Sequence, residues 1–197
     1  IITLGDGSTV TFSGIETIVE QGSTPDGLIW GTGGDELIGA GYIDANGDII
    51  DNNDAILSNP GSDDDEIYAL DGNDTIQSLL GDDRAYGGTG DDLVQTGTGN
   101  DYAQGDEGDD TVEGGTGDDF LRGDAGNDFV YGGDGNDSVY GGSGNDQVFG
   151  GDGDDYIYGG YDDDTVYGGA GNDTITGSGE HDLIYGDDGD DYMQGSN

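Results

Sequence analysis

Gly132-Gly133-Asp134-Gly135-Asn136-Asp137-Ser138-Val139-Tyr140 is followed at once by Gly141-Gly142-Ser143-Gly144-Asn145-Asp146-Gln147-Val148-Phe149. The two stretches are one pattern, Gly-Gly-x-Gly-x-Asp-x-U-x with U apolar. Fifteen units of nine residues run from Pro60 to Gln194 without insertion or deletion. A short fixed period makes each unit stack on its neighbours and turns one side chain per unit into a row.

With Pro60 as position one, position six is aspartate in every unit: Asp65, Asp74, Asp83, Asp92, Asp101, Asp110, Asp119, Asp128, Asp137, Asp146, Asp155, Asp164, Asp173, Asp182 and Asp191. Position eight is apolar in every unit, from Ile67 to Met193. Position four is glycine except at Asp63, Asp162 and Glu180, and position five is Asn or Asp except at His181. Nothing in the array has a helical period.

A strand of about three residues, positions seven to nine, buries position eight and exposes its neighbours. The six residues before it read as turn, with glycine supplying positive φ and position five suited to the left-handed region. Strand plus turn reverses the chain once per unit. Two units therefore make one coil, with two parallel sheets facing each other and coils ~4.8 Å apart. The expected fold is an all-β parallel roll. Its aspartates line two edges, alternate units to each.

Neighbouring carboxylates ~5 Å apart repel by about 3 kcal/mol at an effective dielectric near 20. Summed along both edges, that exceeds the stability of an ordinary domain, and the core is thin. A cation between the turns removes the conflict. Carboxylates and turn carbonyls are hard oxygens, which suit Ca²⁺ better than Mg²⁺. Pairing each aspartate with the one two units on allows 15 − 2 = 13 sites, whose 26 charges would reduce the net charge of −44 to −18.

That charge comes from 46 acidic residues against Arg84 and Arg122 alone, and it excludes nucleic acid and an anionic membrane surface as partners. Few large apolar residues with such charge would ordinarily mean disorder; the aspartate period favours folding on metal. There is no cysteine, hence no thiol chemistry or disulfide framework. No apolar stretch approaches a membrane span. With one histidine, no nucleophile motif and no phosphate loop, catalysis within this segment is not expected.

The array resembles the RTX (repeats-in-toxin) nonapeptide, the hemolysin-type calcium-binding repeat. The resemblance implies a parallel β-roll holding multiple calcium ions. It also implies that the position-six aspartates give side-chain oxygens and that positions one to four give backbone carbonyls. Gly133, Gly135, Gly142, Gly144, Gly151 and Gly153 would thus serve sites near Asp137, Asp146 and Asp155. Leu70 and Leu79 at position two, and Asp162 and Glu180 at position four, depart from the pattern. The resemblance further implies a secreted bacterial protein, exported by a type I system while unfolded and folding in external Ca²⁺. The alternatives are the calcium-binding C-terminal domain of a secreted enzyme or toxin, and a self-assembling adhesin or surface-layer segment.

Residues 1–21 read as a β-hairpin cap or linker, with Trp30 packing near it, and residues 22–59 as worn repeats interrupted by an irregular acidic loop, Ala40 to Asn59. Within that loop Asp44, Asn46 and Asp48 lack the rest of an EF-hand. Residues 60–197 form the array. The chain opens mid-strand and stops mid-repeat, and is expected to be part of a longer protein. At position nine, Tyr131, Phe149, Tyr167 and Tyr185 are expected on one sheet and Tyr140 and Tyr158 on the other. These outward ladders either stiffen the sheets or offer a face for self-association or glycan contact. Ice binding would need regular outward threonine rows, which positions seven and nine lack. His181 is expected to be a turn residue.

Overall fold

The computed structural model describes residues 64–78 and 80–195, together with the strand backbone at 2–3, 9–10, 28–30 and 37–38. The EF-hand-like Asp44, Asn46 and Asp48, the loop from Ala40 to Asn59, and Leu79 lie outside the described residues. All regular structure among those described is β, in a parallel solenoid of about seven turns.

Each strand of the array pairs in parallel with its counterparts in the preceding and following coils. Val112 faces Val94 on one side and Val130 on the other; Leu121 faces Ala103 and Val139. Odd and even units separate into a nine-stranded and an eight-stranded sheet. Position eight from Ile67 to Ile175 has no exposed surface and forms one continuous core between them. Valine is its commonest member, a β-branched residue suited to a pleated strand buried on its inner face.

The worn units join the same sheets. Leu28–Trp30 pairs with Glu66–Asp71, with Ile29 opposite Ile67, and Leu37–Ile38 pairs with Thr75–Gln77, with Ile38 opposite Ile76. The two units thus stack as the coil before Ile67 and Ile76, although Ala40 to Asn59 intervene in sequence. At the start of the chain, Ile2–Thr3 and Thr9–Val10 pair antiparallel.

Two details differ from the sequence reading. Most strands run from position seven through position three of the next unit, as in Thr111–Thr116 and Ser138–Ser143, twice the expected length. Glycine content reads as turn, but the kink at position two recurs in the next coil, so the ladder passes through it: Gly115, Gly133 and Gly151 stand side by side with φ of +112°, +121° and +120°. Position one is thereby drawn inward and buried. Position five, expected in the left-handed region, does not have positive φ in any described unit; positions two and four do. Leu70, at position two, and Asp162, at position four, adopt the left-handed conformation despite carrying side chains.

Candidate metal centre

Each edge of the roll is a stack of identical turns, and the turn amides show how the aspartates are placed. The position-six amide donates to Oδ1 of the position-six aspartate in the next coil: Asp65 to Asp83, Asp119 to Asp137 and Asp128 to Asp146, for example, at 2.7–2.9 Å. This unbroken run reaches Asp191 on one edge and Asp182 on the other, both as acceptors. The side chains are drawn inward, and all position-six aspartates from Asp65 to Asp173 are buried.

One oxygen of each carboxylate is thus accounted for. The other is not. At Asp92, and at every position-six aspartate from Asp110 to Asp182, Oδ2 is buried and accepts no hydrogen bond. A buried carboxylate oxygen without a partner costs more than a folded protein ordinarily tolerates. Burial pushes eight of the carboxyls up, against the opposing effect of the amide bond on Oδ1: to about 6 at Asp92, Asp128 and Asp137, to about 7 at Asp110, Asp119, Asp155 and Asp164, and to about 8 at Asp146. Neighbouring carboxylates add to the rise. Burial also raises Asp101 and Asp173.

Space around Oδ2 is kept by glycine. A Cβ on Gly132 would come within 3.0 Å of both Asp137 Oδ2 and the Gly150 carbonyl oxygen of the next coil, closer than real Cβ atoms come; Gly114, Gly150 and Gly168 repeat this arrangement. Position one therefore leaves a cradle where a carboxylate oxygen and a carbonyl oxygen converge. Among the described residues no three carboxylate or imidazole side chains gather at one point. The geometry does not call for it, because each turn supplies one carboxylate and the backbone supplies carbonyls. The partnerless oxygens, the cradle and the all-oxygen donor set fit a hard divalent cation.

The glycines singled out in sequence fall into two groups. Gly133, Gly142 and Gly151, at position two, have carbonyls aimed at the Cα of Gly151, Gly160 and Gly169 in the next coil. Gly135 and Gly153, at position four, aim theirs at Gly153 and Gly171, and Gly144 shares their left-handed turn. A Cβ at any of these recipient positions would collide with that carbonyl. The position-one carbonyls beside Oδ2, such as that of Gly150, fall within the positions one to four that the resemblance implied, although no position-one glycine was singled out there. The glycine at position one was the available signal.

A second ladder runs outside the first and in the opposite sense. Oδ1 of each position-five Asn or Asp accepts the position-five amide of the next coil: Asp118 from Asn136, Asn127 from Asn145, Asp154 from Asn172 and Asp163 from His181, at 2.7–3.0 Å. Asn and Asp occupy position five because they can accept this bond. From Asp82 to Asp190 one edge alternates Asp and Asn strictly, which keeps like charges out of direct contact. His181 stands exposed, its Nδ1 3.4 Å from Asp163 Oδ1, a turn residue as expected. Replacing Asn127 by alanine removes the acceptor of the Asn145 amide. This change is expected to cost about 1 kcal/mol, read as a higher cation concentration at half-folding, whereas Gln147→Ala on the sheet face should change it by only a few tenths.

On the outer faces, Tyr131, Phe149, Tyr167 and Tyr185 stack with ring centroids 4.7–5.0 Å apart and planes within 9° of parallel. On the other sheet Tyr68 and Tyr86 stack at 4.6 Å, and the ladder then crosses from position nine to position seven through Tyr102 and Phe120 before returning to Tyr140. Tyr140 and Tyr158 lie 6.3 Å apart and tilted.

Compared with known families, the chain matches the model of the RTX calcium-binding nonapeptide repeat (4 copies) over residues 60–94, 86–121, 104–139, 113–148, 140–175 and 167–197. Among curated proteins, none matches the chain.

Proposed function

The chain belongs to the RTX calcium-binding nonapeptide repeat family, and from that premise we propose that its two edges are loaded with calcium and that loading and folding are one event. The array is a structural calcium-binding β-solenoid. The proposal concerns which atoms hold the ions, how many ions there are, and what their binding is for.

The observation that carries it is the run of buried, partnerless Oδ2 atoms from Asp110 to Asp182. Oδ2 of the position-six aspartates, from Asp65 to Asp191, would provide the charged ligands. Carbonyls of neighbouring turns at positions one, two and four, among them Gly133, Gly135, Gly142, Gly144, Gly151 and Gly153, would complete the oxygen shell. Calcium supplies the positive charge that lets adjacent carboxylates remain ionised and buried; the chain holds those carboxylates in register through their Oδ1 bonds. Such coupling makes binding free energy into folding free energy.

In a bacterium whose cytosol is poor in calcium, this coupling leaves the array unfolded and fit for export, and external calcium then folds it outside the cell. The module thereby acts as a calcium-set support within a larger secreted protein. The aromatic ladders fit a stiffening role better than a glycan platform, because stacked rings cover one another's faces.

Native mass spectrometry of protein equilibrated with calcium and then desalted tests the reading. About ten or more ions per chain are expected from one oxygen-rich site between each pair of stacked turns, and equimolar magnesium should not displace them. A chain that retains none, or exchanges calcium freely for magnesium, overturns it.

A further inference from the structure

Position one is not glycine everywhere. Ser78 and Thr96 occupy it in consecutive coils of one edge, ahead of Gly114, Gly132, Gly150 and Gly168 in the same column. Both are buried, with 3% and 0% of their surface exposed.

Their hydroxyls do something specific. Ser78 Oγ donates to the Thr96 carbonyl at 3.0 Å, and Thr96 Oγ1 donates to the Gly114 carbonyl at 3.0 Å. These are the position-one carbonyls of the next coil, equivalent to the Gly150 carbonyl that enters the cradle at Gly132. In the glycine units that carbonyl and Oδ2 converge on empty space. At Ser78 and Thr96 the side chain stands in that space, beside Asp83 and Asp101, and a hydroxyl proton engages the carbonyl. A cation draws its ligands from oxygen lone pairs and needs room for about 6–8 of them; here one donor is engaged and the room is filled.

We propose that Ser78 and Thr96 are built-in substitutes for cations, so that the turns at Asp83 and Asp101 close on a hydroxyl bridge and take up no calcium of their own. Calcium loading then begins, along this edge, at the Gly114 coil. This rests on the calcium reading above and refines it: the glycine cradles are the ion sites, and the residue at position one decides whether a turn has one. The Ser78 and Thr96 coils form a short stretch whose hydroxyls hold the next coil's position-one carbonyl, against which the loaded coils stack.

The test is the number of ions counted by native mass spectrometry on the full chain, with strand content followed by circular dichroism. Ser78→Gly and Thr96→Gly each clear a cradle and are expected to add about one ion per chain, and both together about two. Gly132→Ser makes the reverse change and is expected to remove about one ion while the strand signal is retained in excess calcium. It keeps the inference testable should the first pair fold poorly. An unchanged or lower count in the glycine variants, or an unchanged count in Gly132→Ser, overturns the inference. Failure of the wild-type chain to hold calcium would instead overturn the broader reading.

Discussion

Stripped of divalent cation at neutral pH, the chain is expected to lose its strand signal and give the circular dichroism of a coil. The core cannot hold the roll alone. It is a single file of Val, Ile, Leu and Ala between two sheets, and against it stand the position-six carboxylates from Asp110 to Asp182, each with a buried oxygen that accepts no hydrogen bond. Leaving one buried polar group unsatisfied costs about 1–3 kcal/mol, and more if charged. Nine such groups exceed the roughly 5–15 kcal/mol that holds an ordinary domain together. Chelation with EGTA at pH 7.5, followed by return of excess calcium, should abolish and then restore the strand spectrum in one cooperative step. A chelated chain that is already rich in strand would show that the carboxylates are balanced without metal.

Acid should act as a partial replacement for calcium. Asp92, Asp110, Asp119, Asp128, Asp137, Asp146, Asp155 and Asp164 would titrate near 4 in an unfolded chain and are held at about 6 to 8 in the roll by burial. Between those values the folded state keeps protons that the unfolded state releases. Folding stability is then greatest below about pH 4 and falls as pH rises through the folded values. Cation-free protein moved from pH 7.5 to pH 4 should therefore gain strand. In the presence of calcium the sign is reversed for binding, because the ion competes with those protons. Because the chelated chain is coil with its carboxylates already ionised at neutral pH, the calcium concentration at half-folding should be flat between about pH 6 and 8 and rise below about pH 5, where calorimetry in buffers of different ionisation enthalpy should record protons released on binding. A cation-free chain that stays coil at pH 4, with no proton release on loading, would contradict the burial of these groups.

The roll itself was legible from spacing alone. A nine-residue period with one apolar residue per unit admits few other folds, and the core from Ile67 to Ile175 is the set that period picks out. The aspartate rows were legible for the same reason. What spacing could not reveal was the direction in which each side chain reaches. Asn136 and Asp137 are neighbours of similar shape. Asn136 accepts from Asp154 in the following coil, and Asp137 from Asp119 in the preceding one. Only the register of stacked coils separates those roles. The longer strands were hidden because glycine at positions one and two reads as turn in isolation; it becomes strand only when a neighbour carries the same kink. The place of Ser78 and Thr96 in the cradle is likewise set by the stacking of coils, which spacing does not reveal.

The strand register across each coil boundary of the array sets a residue beside its counterpart one full turn away, as in the ladder linking Val94, Val112 and Val130. A lineage can therefore lengthen or shorten this protein by duplicating or deleting whole turns, and each surviving residue keeps an equivalent neighbour. Losing a single nonapeptide would be far more damaging: everything beyond the lesion would change sides, and the stack of Tyr131, Phe149, Tyr167 and Tyr185 would be cut wherever the break fell within it. Selection on such a gene should tolerate copy-number drift in even steps and purge odd ones.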